Sequence, residues 1–509
     1  MKKSKVFLLA AVGLLSVGVL TACSSSSKTS GKTYNYVYGG DPATLDYVST
    51  NKKNMTTAVS NGVDGLFEND QYGNLKPSVA ENWSVSQDGL TYTYKIRKGV
   101  KWYTSDGEEY ANVTAKDFVT GLKHAADTNS EAIYLLQNSV KGLNDYLSGA
   151  NKDFSNVGIK AVDDYTLQYT LSQPEPYWNS KLTYSVTWPV NGDFLKSKGK
   201  DFGKSTDPTS ILYNGPYLLK ALTTKSSIEF TKNENYWDKD NVYFDTVKLT
   251  YDDGTDQESL ERNFTDGVYN LARLYPTSSN YSKVEKQYKD NIFYTQPGAA
   301  VEGVGVNIDR QTYDHTSKEN DQQKTSTKTA LLNKDFRQAL GFAIDRTNYA
   351  AQLNGKEGGS TAVRNIYVKP DFVQADGKDF GTMVMDQLPA YGDEWSGVNL
   401  ADSQDGLYNP EKAKAEFAKA KEALQAEGVQ FPIHLDVPVN QSNKIFVNQV
   451  QSLKQSIESA LGKDNVVLDL HQLSTDDFYN ITYSASNAAA EDWDLSVGVA
   501  WEPDYLDPS

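Results

Sequence analysis

The chain has 509 residues, with 66 acidic against 50 basic side chains and a formal net charge of −16. This excess of acid argues against nucleic acid or an anionic polysaccharide as a partner, because both polymers would repel it. A single cysteine excludes an internal disulfide and a cysteine-based metal centre, and the length is sufficient for two or three domains with full hydrophobic cores.

The first 23 residues have the pattern of a cleaved export signal. Three lysines within the first five residues precede an apolar run, residues 6–20, which is shorter than the ~20 residues needed to span a bilayer. The Leu-Thr-Ala-Cys sequence ending at Cys23 resembles a bacterial lipobox, whose cysteine is acylated and becomes the new N-terminus. We therefore predict a lipoprotein signal peptide over residues 1–22, lipid attachment at Cys23 and anchoring to the outer face of the cell membrane. The alternative is an ordinary secretory signal with a chance cysteine.

The folded part is expected to begin at Thr33, after a flexible tether. Residues 24–32 are rich in serine, threonine, lysine and glycine, so we place the tether over residues 23–32. Tyrosines then occupy alternate positions from 34 to 38, as in a β-strand, and a Gly-Gly turn follows. Farther along, an Asp-Gly turn at residues 88–89 precedes alternating apolar side chains up to residue 96, which predicts a β-hairpin.

Three helices are predicted from a capping residue followed by apolar side chains at helical spacing. Thr114 precedes a stripe that begins at Phe118, and Asn333 precedes another that includes Leu340. Asn409, followed directly by a proline, begins a third helix that Gly428 ends.

A β-α-β unit is predicted next. Residues 433–437 read as a short apolar strand, residues 446–461 as an amphipathic helix ended by Gly462, and residues 466–470 as the following strand. Two polar stretches, residues 312–329 and 377–405, are predicted to lie on the surface. The sequence thus indicates an α/β protein with mixed sheets.

A last apolar run, residues 495–501, leads into the sequence Trp501-Glu502-Pro503-Asp504-Tyr505. In open α/β sheets ligands bind beyond the carboxyl ends of strands, which makes this segment a candidate site. Asp504 could offer a carboxylate between the aromatic walls of Trp501 and Tyr505. The alternative is that Asp504 caps a turn in a proline-bounded loop.

No pattern of catalytic or metal-binding residues is found in the sequence. The four histidines, at positions 124, 315, 434 and 471, do not have zinc-binding spacing, and no nucleophile-elbow or phosphate-loop motif is present. We interpret the histidines as structural or solvated. With 66 acidic residues, no carboxylate pair can be nominated for glycoside hydrolysis. We therefore predict no enzyme activity, no metal and no cofactor.

A series of short motifs, in a specific order along the mature chain, resembles the large peptide-binding lipoproteins of bacterial ABC importers, the group of oligopeptide and dipeptide receptors. The motifs are Ala80-Glu81-Asn82-Trp83, Asp88-Gly89-Leu90-Thr91-Tyr92, Arg97-Lys98-Gly99-Val100-Lys101-Trp102, Thr114-Ala115-Lys116-Asp117-Phe118, Asn214-Gly215-Pro216-Tyr217, Asn233-Glu234-Asn235-Tyr236-Trp237-Asp238, Phe336-Arg337-Gln338-Ala339-Leu340, Ile344-Asp345-Arg346 and Asp504-Tyr505. Most of them have structural interpretations and identify the family without forming its binding site.

The resemblance implies a two-lobed, periplasmic-binding-protein-like fold with an additional smaller domain and a hinge between the lobes. We expect lobe I over residues 33–64 and 206–300, domain II over residues 65–205, and lobe III over residues 301–509. The family's chains continue well past the Asp-Tyr motif, so we expect lobe III to be incomplete at its C-terminus.

The resemblance also implies a ligand and its contacts. Members of this family bind an extended peptide through its main chain and deliver it to the permease subunits of an ABC importer. Their aspartate at the position of Asp504 pairs with the peptide's α-ammonium group, and the tryptophan at the position of Trp501 contributes to a side-chain pocket. Further ligand contacts are expected from Thr50, Asn51, Lys52 and Lys53, and from Tyr134.

One departure from the family's pattern concerns the peptide's C-terminus. Some members have an arginine just before the tryptophan that meets the peptide carboxylate, whereas this chain has Gly498-Val499-Ala500. Recognition of a fixed C-terminus is therefore not expected. The alternatives that the sequence leaves open are a receptor for another solute on the same fold, a peptide sensor, a surface hydrolase and an adhesin-like structural protein.

Overall fold

The computed structural model describes residues 32–293, 298, 300–483 and 485–503. Its strands and helices alternate irregularly, as in a mixed α/β protein. The strands up to residue 293 are β1 (Thr33–Tyr38), β2 (Phe67–Asn69), β3 (Leu75–Pro77), β4 (Ala80–Val85), β5 (Thr91–Ile96), β6 (Lys101–Tyr103), β7 (Glu109–Asn112), β8 (Ile159–Asp163), β9 (Thr166–Thr170), β10 (Tyr217–Thr223), β11 (Ser227–Lys232) and β12 (Thr246–Tyr251). The α-helices of this part are α1 (Lys53–Val59), α2 (Ala115–Asp127), α3 (Tyr134–Gln137), α4 (Leu143–Leu147), α5 (Trp178–Lys181), α6 (Gly192–Lys198), α7 (Ser259–Thr265) and α8 (Tyr281–Gln287).

The C-terminal part, from residue 298 onward, has longer helices. Its strands are β13 (Val301–Val306), β14 (Gln374–Ala375), β15 (Lys378–Asp379), β16 (Ile433–Asn440), β17 (Val466–Leu473) and β18 (Leu495–Trp501). Its α-helices are α9 (Asp321–Leu332), α10 (Lys334–Ala343), α11 (Arg346–Gly358), α12 (Phe380–Gln387), α13 (Pro410–Ala426), α14 (Lys444–Leu461) and α15 (Thr475–Ile481).

Two four-stranded sheets organise the N-terminal part. The first has the order β1-β12-β11-β10, with β1 parallel to β12 and the other pairs antiparallel. The second has the order β4-β5-β9-β8 and is antiparallel throughout. The predicted hairpin after residues 88–89 is confirmed as β4 and β5. In β5 the predicted alternation is also confirmed, since Tyr92, Tyr94 and Ile96 are buried and the intervening residues are not.

The predicted helix caps are confirmed. Asp117 accepts the backbone N–H of Thr114 at 2.8 Å, which is the reciprocal half of a capping box at the start of α2. Asn333 accepts the N–H of Phe336 at 3.0 Å at the start of α10, and Asn409 caps α13 in the same way. These caps satisfy backbone donors that would otherwise lack partners at the helix ends.

The predicted β-α-β unit is confirmed as β16, α14 and β17. The two strands are parallel, with Ile433 opposite Val466, and α14 connects them before ending at Gly462, whose φ is +84°. The last predicted strand is β18, which pairs antiparallel with β13 so that Trp501 lies opposite Val301.

The buried apolar side chains form two separate clusters. One extends from Tyr38 to Phe230 and the other from Ala330 to Val497. The predicted boundaries at residues 64/65 and 205/206 both fall inside the first cluster, so the division into lobe I and domain II stays a prediction.

The prediction that residues 312–329 lie on the surface holds for most of the segment, since only Lys318, Ser326 and Thr327 in it are buried. Lys318 has a fully buried side chain, and its ammonium group lies 2.6 Å from Asp436 Oδ2. Helix α9 also buries Ser326, Thr327 and Leu331. Lys318 departs from the prediction because its ammonium group pairs with the carboxylates of Asp436 and Asp494 inside the molecule. Residues 377–405 are more exposed, although they bury Leu388 and Leu400.

Within the described part of the chain, no helix combines the length and the apolar character needed to cross a bilayer.

Candidate functional site

A cavity of about 600 Å³ opens between the N-terminal and C-terminal parts of the molecule. Most of its lining comes from residues 60–78 and 180–188, and the C-terminal part contributes Phe372 and Pro503. The lining residues are Ser60, Val63, Asp64, Gly65, Phe67, Glu68, Asn69, Gly73, Leu75, Ser78, Ser180, Thr183, Tyr184, Trp188, Phe372 and Pro503. Its volume lies within the ~300–1,000 Å³ typical of ligand-binding clefts.

Asp64 is the most buried carboxylate in the lining. Its backbone N–H donates to Asn214 Oδ1 at 2.8 Å, and Asn214 Nδ2 donates back to the Asp64 carbonyl oxygen at 3.2 Å. Its carboxylate Oδ2 accepts hydrogen bonds from the Tyr236 hydroxyl at 2.8 Å and from Trp237 Nε1 at 3.3 Å. Two of the family motifs, around residues 214 and 236, therefore hold this cavity residue in place.

Burial controls the ionisation of Asp64. Removal from water disfavours the charged carboxylate and raises its pKa to about 7, against the opposing hydrogen bonds from Tyr236 and Trp237. Glu68 adds a smaller like-charge effect in the same direction. The Asp64 carboxyl can therefore gain or lose a proton near neutral pH.

The wall beside Asp64 is formed by a tightly packed tryptophan. Trp188 Nε1 donates to the Thr183 carbonyl oxygen at 3.2 Å, which fixes the indole. A Cβ atom added at Gly65 would lie 2.6 Å from Trp188 Cδ1, closer than packing allows. Gly65 is thus required by the close approach of its backbone to the indole.

The predicted residues at positions 50–53 lie together around an acidic residue that sequence reasoning missed. Glu131 accepts a hydrogen bond from the Thr50 hydroxyl, and Lys52 Nζ lies 3.2 Å from Glu131 Oε1. The hydrogen bond from Thr50 and the Lys52 ammonium lower the pKa of Glu131. Asn51 and Lys53 are exposed. None of these residues is among those that line the cavity.

Tyr134 is the first residue of α3, three positions after Glu131, and 48% of its surface is exposed. It is likewise absent from the cavity lining. Among the described residues, the predicted ligand contacts therefore fall into two places, residues 50–53 and Tyr134 near Glu131 in the chain or in space, and Trp501 at the end of β18.

Trp501 lies at the end of β18 and packs edge-on against Tyr367, with 6.4 Å between the ring centroids. Two residues later, Pro503 lines the cavity. Asp504 and Tyr505, like Cys23, lie outside the described residues. The predicted segment thus reaches the cavity at its last described position.

The four histidines each lie beside an aspartate and away from the cavity lining. In every pair the ring nitrogen and the carboxylate oxygen are 2.8 Å apart. The pairs are His124 with Asp46, His315 with Asp492, His434 with Asp469 and His471 with Asp436. The structural interpretation of the histidines fits these contacts. Among the described residues, no three His, Cys, Asp or Glu side chains are grouped so as to hold a metal ion.

Asp64, Glu68 and Phe372 were missed as site residues. Asp64 comes directly before Gly65 in a short linker, where no periodicity distinguishes it from other acidic residues. The one available signal was indirect, since the buried Tyr236 and the part-buried Trp237 of the motif at residues 233–238 require a hydrogen-bond acceptor.

Comparisons with known proteins give a consistent result. The model of the bacterial extracellular solute-binding proteins, family 5, matches residues 74–509. The oligopeptide-binding protein AmiA of Streptococcus pneumoniae is 68% identical over 512 residues, covering all of this chain and 78% of that protein. The oligopeptide-binding protein SarA of Streptococcus gordonii is 61% identical over 517 residues, with the same two coverages.

Solved structures share the fold at lower identity. The substrate-binding domain of an oligopeptide ABC transporter from Bacillus anthracis superposes with a TM-score of 0.70 at 22% identity, over 94% of this chain and 81% of that one. Listeria monocytogenes OppA bound to peptide gives a TM-score of 0.68 at 24% identity, over 94% and 83% of the two chains. The predicted two-lobed, periplasmic-binding-protein-like fold is confirmed. The chain belongs to the family 5 bacterial extracellular solute-binding proteins.

Proposed function

We propose that this protein is an extracytoplasmic receptor that captures oligopeptides and delivers them to the permease subunits of an ABC importer. Relatives at 58–68% identity are named oligopeptide-binding proteins, and each is matched along the whole of this chain. The role requires binding and release only, so no catalytic step is assigned to any residue.

The observation that carries the proposal is the position of the cavity. It lies where Pro503 and Phe372 of the C-terminal part meet residues 60–78 and 180–188 of the N-terminal part. A ligand in this position contacts both parts of the molecule, so that its binding favours a closed arrangement over an open one. A hinge between the lobes would then load and release the peptide.

We assign the peptide's α-ammonium group to Asp504, which follows the cavity residue Pro503 in the chain. A carboxylate and an ammonium group gain strength from partial exclusion of water, provided that further hydrogen bonds offset their desolvation. Trp501 and Tyr505 would supply apolar walls beside the pair. Both are suited to side chains of varied chemistry because each has an apolar body and a polar tip.

The second group of residues, Thr50, Asn51, Lys52, Lys53 and Tyr134, is assigned to contacts farther along an extended peptide. Main-chain hydrogen bonds of the added-strand type would make these contacts tolerant of peptide sequence. Lys52 lies 3.2 Å from Glu131, and both side chains are exposed to water, where a peptide could reach them.

Cys23 is assigned as the lipid attachment site, on the lipobox-like sequence that precedes it. Two acyl chains would hold the receptor at the extracytoplasmic face of the cell membrane, close to its permease. The net charge of −16 would keep the folded part away from an anionic lipid surface.

The test is to purify the full chain in detergent without denaturing it, release bound small molecules by unfolding, and identify them by mass spectrometry. Asp504→Asn and the nearby Asp507→Asn are treated in the same way. We expect peptides from the wild type and from Asp507→Asn, and a clear loss from Asp504→Asn. Recovery of another solute, or cleavage of added peptides, would contradict the proposal, and equal retention by all three proteins would contradict the role of Asp504.

A further inference from the structure

The cavity is acidic at the end where the N-terminal part lines it. Asp64 and Glu68 both contribute to the lining, and no lysine, arginine or histidine of the described residues does. Lys76 lies 3.0 Å from Glu68, but both side chains are about half exposed to water, so this pair is weakly held. Among the described residues Asp64 forms no ion pair, since its hydrogen bonds come from an uncharged phenol and an uncharged indole. The nearby Arg97 guanidinium instead lies 4.2 Å from the centroid of the Trp237 ring, and its Nε donates to the Ser78 carbonyl oxygen at 3.4 Å.

An unused hydrogen-bonding group lies in the same place. Ser78 lines the cavity and is 1% exposed, and its Oγ atom lacks a hydrogen-bond partner among the described residues. The hydroxyl lies near enough to Asp64 to favour the ionised carboxylate. A buried hydroxyl without a partner costs free energy unless a ligand or water completes its hydrogen bond.

Aromatic side chains surround these polar groups. Trp188 and Tyr184 line the cavity on the N-terminal side, and Phe372 faces it from the C-terminal part. Aromatic faces attract ammonium and guanidinium groups, most strongly where water is excluded. The two carboxylates, the Ser78 hydroxyl and the aromatic lining together favour a ligand with an ammonium or guanidinium group at the end of a chain of methylene groups.

We propose that this end of the cavity is a subsite for a lysine or arginine side chain of the bound peptide. The inference rests on the proposed function, because the cation arrives as part of a peptide. The cationic group would lie between Asp64 and Glu68, with its methylene groups against Trp188. Ser78 Oγ would accept one of its N–H groups.

The contrast with other buried carboxylates supports this assignment. Asp436 and Asp494 are already paired with the cations Arg310 and Lys318. Asp64 is also buried, at 8% exposed against 0% and 2% for Asp436 and Asp494, but it forms no ion pair among the described residues, so a ligand cation would supply the missing counter-ion.

The assignment also predicts a pH dependence. The groups facing Asp64 are Glu68, Ser78, Tyr236 and Trp237. Lys76 lies next to Glu68, and Arg97 lies against Trp237 and Ser78. Burial raises the pKa of Asp64 to about 7, and a bound cation would stabilise the ionised form. Affinity for a cationic peptide should therefore increase between pH 5.5 and pH 8, whereas affinity for a neutral analogue should change less.

The test uses alanine-based hexapeptides that carry lysine, or its uncharged isostere norleucine, at one position at a time. Binding to the full chain is measured by isothermal titration calorimetry. We expect one position at which lysine binds about tenfold more tightly than norleucine, the size of effect that a charge-assisted hydrogen bond gives. In Asp64→Asn and in Glu68→Gln this ratio should fall towards one, whereas Asp145→Asn should keep it, because Asp145 is exposed and does not line the cavity.

The outcomes separate this inference from the function on which it rests. If norleucine peptides bind as well as lysine peptides at every position, the cationic subsite is overturned and the peptide receptor stands. The subsite is also overturned if both cavity variants keep the preference for lysine. If none of the hexapeptides binds, the proposed function and this inference fall together.

Discussion

Two groups of buried carboxylates, one in each part of the molecule, have different kinds of partner. Asp64 and Asp117 in the N-terminal part have uncharged partners, although the buried Glu175 of the same part lies 3.0 Å from the Lys181 ammonium. Asp64 accepts from Tyr236 and Trp237, and Asp117 accepts from Trp102 Nε1 at 3.1 Å. Burial raises the pKa of Asp64 to about 7 and that of Asp117 to about 6. These carboxyl groups can change protonation state under mild conditions.

In the C-terminal part the partners are cations. The Arg310 guanidinium lies 2.7 Å from both Asp436 and Asp492 and 3.1 Å from Asp494, and Lys318 contacts the first and the last of these. Burial alone would raise the pKa of Asp436. The hydrogen bond with His471 and the Lys318 ammonium nevertheless hold that pKa well below its usual range.

This difference in partners determines which buried carboxyl groups can change their charge when a ligand binds. A carboxylate with a built-in counter-ion has little to gain from a ligand cation, whereas a buried carboxyl with uncharged partners changes charge when a cation arrives. Asp64, which lines the cavity, is a buried carboxyl group with uncharged partners.

The strongest test of the comparison is to remove the central cation with Arg310→Met. Asp436 and Asp494 would then share the remaining Lys318 ammonium, and Asp492 would keep only its contacts with His315, so we expect a loss of about 3–5 kcal/mol in the free energy of unfolding. Urea unfolding measures it. Lys328→Met is the control, because Lys328 pairs with Asp309 on the surface and should change stability by less than about 1 kcal/mol. Equal effects of the two variants would contradict the account.

The next test uses the opposite pH dependences of the two kinds of carboxyl. The pKa of Asp64 is raised in the folded state, so its stabilising effect is fully present below about pH 4 and is lost as the pH rises to about 7. Asp436 has a lowered pKa, so its contribution is present above about pH 4 and is lost as the pH falls.

The variant that isolates this effect is Asp64→Asn. Between pH 4 and pH 7 the wild type should lose a few kcal/mol of unfolding free energy relative to the variant, because one pKa unit corresponds to about 1.4 kcal/mol. Urea unfolding across this pH range gives the difference. A difference that stays constant with pH would show that Asp64 does not titrate in this range.

A smaller effect is expected from Tyr236→Phe, which removes one of the two uncharged donors to Asp64. We expect a loss of about 1–2 kcal/mol at pH 7, since the carboxyl keeps only the Trp237 hydrogen bond. Thermal unfolding compares it with Tyr243→Phe, a tyrosine that is 68% exposed. A Tyr236→Phe protein as stable as this control would mean that the hydroxyl does not support Asp64.

The smallest effect is expected from Lys52→Met. Lys52 and Glu131 form an ion pair, as Arg310 and Lys318 do with their aspartates. Unlike those buried pairs, the Lys52 and Glu131 side chains are 62% and 46% exposed. Solvent screens such a pair, so the free energy of unfolding should change by less than about 1 kcal/mol. A loss of 2 kcal/mol or more in urea unfolding would mean that exposure does not govern the strength of these pairs.

Much of the local structure could be predicted from the sequence. The hairpin at residues 88–89, the caps at Thr114, Asn333 and Asn409, and the β16-α14-β17 unit all depend on neighbouring residues, so their patterns are visible locally. The burial of the Lys318 side chain could not be predicted in this way. It depends on pairing with Asp436 and Asp494, more than a hundred positions away.

The candidate site was predicted only in part. The segment from Trp501 was identified by its place after a strand and by resemblance, and the structure brings Pro503 to the cavity. Asp64 was missed, because its donors lie 172 and 173 positions away in the sequence. A buried polar contact between such distant residues leaves no periodic pattern for either of them.

The central claim is that peptide binds in the cavity beside Asp64. Hydrogen–deuterium exchange of the full chain, with and without a saturating peptide, tests it most directly. We predict slower exchange over residues 60–78 and 180–188 and near Phe372, with little change in α14. Protection confined to other segments under saturating peptide would contradict the claim.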